Sequence, residues 1–137
     1  MKKILSLLLS ISLLLFLFVV PIHASNANNA RWVNTKRTII SHDYLDGNAA
    51  CRITITGYSD AIVTNVDISF DQVTPVGLIN IATWNDLSGG QYFTFYDTVP
   101  NIEADCVYRL SFTADVVKDG VIETISDHFD RFYVSEN

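Results

Sequence analysis

Apolar and polar residues alternate with a period of two along most of the chain beyond residue 35. Cys51, Ile53 and Ile55 alternate with Arg52, Thr54 and Thr56. Ile62, Thr64, Val66, Ile68 and Phe70 alternate with Val63, Asn65, Asp67 and Ser69, and Cys106, Tyr108, Leu110, Phe112 and Ala114 alternate with Val107, Arg109, Ser111 and Thr113. Successive side chains of a strand point to opposite faces, so this period predicts half-buried strands. Weaker alternation predicts further strands over 35–41, 78–84, 91–96 and 121–134, the last admitting a bulge or turn at Ser126–His128. Between the runs stand turn-forming groups: Asp46-Gly47-Asn48, Gly57 to Asp60, Thr74-Pro75, Ser88-Gly89-Gly90, Pro100-Asn101 and Lys118-Asp119-Gly120. Asp-Gly between two β-branched stretches favours a tight hairpin. About seven short strands with no sustained helical period predict an all-β chain, an antiparallel β-sandwich.

The N-terminus follows a different rule. Lys2 and Lys3 precede a predominantly apolar run from Ile4 to Val20, then Pro21, Ile22, His23 and Ala24. Charged, apolar and cleavage regions in that order predict a secretory signal over 1–24, with Ala27 as the alternative last residue. A membrane anchor is the competing reading. The run is at the short end of a bilayer span, Pro21 breaks its helix, and no cluster of positive charge follows it. A Ser/Asn/Ala leader is expected over 25–34, and the sandwich domain over 35–137. The expected location is therefore extracellular, with no membrane association after cleavage.

Composition narrows the partners. The chain is 49% hydrophobic and 18% charged, which excludes a disordered protein. Its formal charge is -6, and loss of residues 1–24 removes two of nine basic residues and none of fifteen acidic ones, leaving -8. No basic footprint for nucleic acid remains, and anionic surfaces are disfavoured. Cationic ligands and neutral sugars stay open. Cys51 and Cys106 have no third competitor, so in an oxidising compartment they are expected to pair as an inter-sheet disulfide. Such a bond would contribute about 4 kcal/mol by loop closure.

The order of strands, with Cys51 on the second and Cys106 on the sixth, resembles the immunoglobulin-like sandwich. The stretch Ala104-Asp105-Cys106-Val107-Tyr108-Arg109-Leu110-Ser111-Phe112-Thr113-Ala114-Asp115-Val116, with Asp119-Gly120 after it, resembles the last hairpin of bacterial immunoglobulin-like and fibronectin-type modules. Immunoglobulin domains bridge these two strands by a disulfide and pack a Trp of the third strand against it. Here Ile62–Phe70 holds no Trp, and the nearest, Trp84, falls one strand later. Tyr108 follows Cys106 by two rather than preceding it, so it shares the Cys106 face and is expected in the core, not at a corner. As a whole the chain resembles small exported proteins of Gram-positive-type bacteria, a likeness that implies no activity.

Three groups of residues could carry function. Trp84, Tyr92 and Tyr96 surround the Ser88-Gly89-Gly90 turn. If Phe93 and Phe95 face the core, Tyr92, Thr94 and Tyr96 face outward, as an anchor cluster for a protein or a row of rings for stacking on sugars. The opposite phase buries both tyrosines. His42 beside Asp43, and His128 between Asp127 and Asp130, could serve a small hydrolase, but no serine elbow, zinc helix or paired histidine accompanies them. Solvated loops are expected for both histidines. Asp115, Asp119, Asp127 and Asp130 match no calcium loop and are expected to form a charged surface that discourages edge pairing.

The expected function is accordingly a secreted, non-enzymatic binding module for an extracellular protein or cell-surface glycan. It needs no cofactor and no metal, and its oligomeric state is open. A carbohydrate-binding module is the second reading, and a small secreted hydrolase the third.

Overall fold

Seven strands in two antiparallel sheets make up the fold: β1 (Thr35–Leu45), β2 (Asn48–Gly57), β3 (Ile62–Thr74), β4 (Gly77–Leu87), β5 (Tyr92–Val99), β6 (Cys106–Lys118) and β7 (Val121–Tyr133). The structure, a computed structural model, describes residues 32–135. The expected signal, its cleavage site and residues 25–31 of the expected leader lie outside the described residues. One sheet has the order β1-β2-β5 and the other β4-β3-β6-β7. Their inward rows share one hydrophobic core, the arrangement of a β-sandwich.

Alternation accounts for the core. β2 contributes Ala49, Cys51, Ile53 and Ile55, and β6 contributes Tyr108, Leu110, Phe112, Ala114 and Val116, all buried. On β3 the inward phase is Val66, Ile68 and Phe70, joined by Val63 across a register shift between Thr64 and Asp67. Asn65 takes φ 49° within that irregular stretch. Two hairpins close as their Asp-Gly pairs demand. Asp46 and Gly47 have φ 50° and 74°, and Asp119 and Gly120 have 51° and 76°, the left-handed pair that matches strand twist. The last strand runs unbroken. Ser126, Asp127 and His128 pair in continuous register with Thr113, Phe112 and Ser111, so the bulge or turn admitted there is absent.

The expected disulfide does not form. Cys51 and Cys106 are both free thiols and are not near each other. Both occupy the inward phase of their strands, Cys51 fully buried and Cys106 half-buried. Cys51 sits mid-strand opposite His42 and Asp97. Cys106 begins β6 opposite Tyr133, where its sulfur accepts a 3.0 Å hydrogen bond from Gln72 Nε2. Burial, with Asp97 nearby, pushes the Cys51 thiol up to about 12, so this thiol stays protonated. The immunoglobulin-like sandwich stapled by one inter-sheet disulfide is thereby corrected to a seven-stranded, two-sheet fold held by packing and hydrogen bonds.

Tyr108 is in the core as expected, stacked on Phe70 with ring centroids 5.2 Å apart. It does more than fill space. Its hydroxyl donates to the Glu103 carbonyl and accepts from the Glu103 N–H, both at 2.9 Å, and so pins the β5–β6 connection. That is the work of a corner tyrosine, here combined with a core position.

The sides of the sandwich differ in how they close. Between β1 and β7 the Glu123 carboxylate accepts from the backbone N–H groups of Val33, Asn34 and Thr35 and from the Thr35 hydroxyl. Further along, His42 Nε2 donates to the Phe129 carbonyl at 3.1 Å and the Tyr44 hydroxyl to the Arg131 carbonyl at 2.8 Å. Arg131 returns a bond to the His42 carbonyl and pairs with Asp43. Between β4 and β5, Trp84 reaches across, its indole N–H donating to Asp97 at 2.8 Å, the one side-chain hydrogen bond between these two strands among the described residues.

Candidate binding face

The outer face of the β1-β2-β5 sheet gathers chemistry that lies far apart in the chain. Phe93 and Phe95 are buried, which fixes the phase of β5 and turns Tyr92, Thr94, Tyr96 and Thr98 outward. Tyr92 is 66% exposed and Tyr96 62%, so neither ring serves the core. They stand four positions apart on the strand, roughly 13 Å. Antiparallel register sets Thr56 beside Tyr92, Thr54 beside Thr94, Arg52 beside Tyr96 and Ala50 beside Thr98. On the far side of β2, Ile39, Ser41 and Asp43 stand against Thr54, Arg52 and Ala50.

One end of this face is concave. Ala50, the smallest side chain of the outward row, lies between Asp43 and Thr98, and a depression of about 320 Å³ opens there. Leu45, Asn48 and Tyr96 also line it. The Arg52 guanidinium lies 5.9 Å from the centre of the Tyr96 ring, a cation–π distance that steadies both side chains. The face thus offers aromatic surface, threonine hydroxyls, guanidinium donors and one carboxylate within a shallow frame.

Of the three aromatic candidates, the structure brings Tyr92 and Tyr96 together and sets Trp84 apart. Trp84 pairs with Ile68 on the other sheet and turns inward, edge-on to Phe95 at 4.9 Å. Its N–H is already given to Asp97. The sequence reading missed Arg52, Ala50 and Asp43 as members of this face. Their outward phase follows from alternation, but the β2–β5 pairing joins strands that are not consecutive.

Neither histidine is in a loop, which corrects that expectation. His42 lies on β1, fully buried, ringed edge-on by Tyr44, Phe70 and Phe129 at 5.2–5.4 Å. The Phe129 carbonyl can only accept, so Nε2 carries the proton, and the buried Nδ1 has no hydrogen-bond partner. Burial holds the His42 pKa below its ordinary value, outweighing the bond to Phe129 that raises it. A continued alternation Thr38, Ile40, His42, Tyr44 could have signalled this inward position. His128 lies on the outer face of β7, opposite Ser111. The Ser111 hydroxyl is engaged with Ser69 at 2.8 Å.

The four aspartates do not converge. Asp130 accepts a bidentate pair of bonds from Arg109 at 2.6 and 2.7 Å, which holds its carboxyl below the usual carboxylate range. Asp115 accepts from Thr124 and Asn65, with the same consequence for its pKa. Asp127 receives the His128 N–H, and Asp119 forms the β6–β7 turn. Among the described residues, no three His, Cys, Asp or Glu side chains group as metal ligands. In comparisons with known proteins, no family model matches the chain and no curated protein matches it.

Proposed function

We propose that this chain is a secreted binding module that acts without catalysis, meeting an extracellular protein or glycan through the outer face of its three-stranded sheet. The observation that carries the proposal is the exposed pair Tyr92 and Tyr96, set on one face with Arg52 and bordering the Ala50 depression. Aromatic side chains bury large area at low entropic cost, and arginine and tyrosine supply most hot spots of interfaces. A rigid strand holds these side chains without the core depending on them.

A second reading, carbohydrate binding, draws on a specific feature: two rings spaced along one strand and flanked by the hydroxyls of Thr54, Thr56, Thr94 and Thr98. Sugar rings offer apolar faces for stacking and hydroxyls for hydrogen bonds. It rests on Tyr92 and Tyr96 alone, since Trp84 is edge-on to Phe95 in the seam.

The test is retention of the full chain on immobilised neutral polysaccharides and on immobilised secreted-protein fractions, compared with Tyr96→Ala, Tyr92→Ala and Arg52→Ala. The three positions are exposed, so the variants should fold with stability changes within ~0.5 kcal/mol. Binding to either support that drops at least tenfold in Tyr96→Ala supports the proposal, and the support that retains the protein selects between the readings. Binding indifferent to all three substitutions, or no binding to either support, overturns it.

A further inference from the structure

β4, one end of the four-stranded sheet, is open on both faces over its first half as well as along its edge. Positions 77–81 are exposed five in a row. Leu78, Ile79 and Ile81 are 50%, 51% and 41% exposed, and Val76 in the adjoining turn is 96% exposed. The strand ends its sheet, so alternate residues turn their backbone N–H and C=O groups away from β3 with no strand among the described residues to receive them. From Gln72 to Asn85 the chain carries no charged residue.

Natural edge strands are commonly guarded by charges, proline or a bulge. The only proline here is Pro75 in the turn, and the two register shifts fall at Ile81 and between Trp84 and Leu87, leaving Gly77–Asn80 in regular register with β3. The polar side chains nearby are committed to their own sheet. Asn80 Nδ2 donates to Asp71, Asn80 Oδ1 accepts from Thr83, and the Thr74 hydroxyl donates to the Gly77 carbonyl.

We propose that β4 pairs antiparallel with β4 of a second copy of this chain, joining two four-stranded sheets into one of eight. Charge selects this occupant. A strand carrying charge of either sign finds no counter-charge along Gln72–Asn85, whereas the same neutral segment of a second copy brings none. Elsewhere two copies with fifteen acidic and nine basic residues each repel, so the neutral edge is where they can approach. A two-fold axis makes the contact self-complementary: Leu78, Ile79 and Ile81 meet the same residues of the partner on both faces of the joined sheet. A single strand pair is a small interface, so the dimer is weak and depends on concentration.

Sedimentation equilibrium of the full chain across a wide concentration range tests this, beside Ile79→Lys and Ile81→Lys. The expected result is a monomer–dimer equilibrium in the unaltered protein, with both lysine variants monomeric at the same concentrations and unchanged in circular dichroism. A monomer at every concentration, or association that survives both lysines, overturns the proposal. The second outcome would place the contact elsewhere, the apolar run at 4–20 included. Should a lysine unfold the chain, the unaltered protein still decides the matter: β4 amides must exchange more slowly as concentration rises, and invariance refutes the pairing.

Discussion

The two sides of the sandwich solve the same problem in opposite ways. Where β1 faces β7, side chains cap the unpaired backbone: His42 and Tyr44 donate to the Phe129 and Arg131 carbonyls, and Glu123 receives three successive N–H groups. Where β4 faces β5, one tryptophan spans the gap, and the end of β4 beyond it stands free. Strand pairing cannot join two sheets across a seam, so closure depends on which side chains the edges carry. The β1–β7 side has charge and hydrogen-bonding groups in abundance, while β4 from Gly77 to Ile81 carries apolar side chains and no charge. The first side is built to stay shut, and the second to accept a partner.

Removing His42 should break that contrast most severely. His42→Ala deletes a fully buried ring held against three aromatic rings and leaves the Phe129 carbonyl without its donor. A loss of about 2–4 kcal/mol is expected from cavity and orphaned acceptor together. Chemical denaturation measures it. A loss below about 1 kcal/mol would mean that the ring does not hold the seam.

Acid should act on the same place more gently. His42 has a folded-state pKa below its unfolded value near 6.5. Between those two values the unfolded chain binds the extra proton, so stability is complete above pH 6.5 and declines as pH falls through the window. The charged groups that bear on the ring are Arg131, which disfavours the proton, and Asp43 and Asp130, which favour it. His42→Phe should flatten this slope, as read from denaturation midpoints at pH 7 and at progressively lower pH. An unchanged slope would assign the acid response to other groups.

The smallest effect belongs to the open side. Trp84→Phe removes the bond to Asp97 but keeps a ring against Phe95. A cost near 1 kcal/mol is expected, well under that of His42→Ala. Equal costs would erase the distinction between the sides.

Much of this fold was legible in the chain because alternation and turn chemistry act locally. The Asp46-Gly47 and Asp119-Gly120 turns needed only their own residues, whereas the phase of β5 stays open in the sequence and is set by the burial of Phe93 and Phe95. What escaped were relations between strands. Both cysteines point inward as read, yet whether they meet depends on how the sheets are offset, which no local period encodes. His42 falls in an expected loop because the recognisable alternation of β1 ends at Ser41, although pairing with β2 continues to Leu45. The binding face was half legible. Tyr92 and Tyr96 share one strand, but Arg52 and Ala50 join them only through the pairing of β2 with β5.

Native-state hydrogen exchange in dilute solution, resolved by strand, tests the difference between the two sides most directly. The account predicts that β1 opens only near the free energy of global unfolding, whereas the 77–81 portion of β4 exchanges through local opening at far lower cost. Protection of β4 equal to that of β1 in the dilute monomer would contradict it.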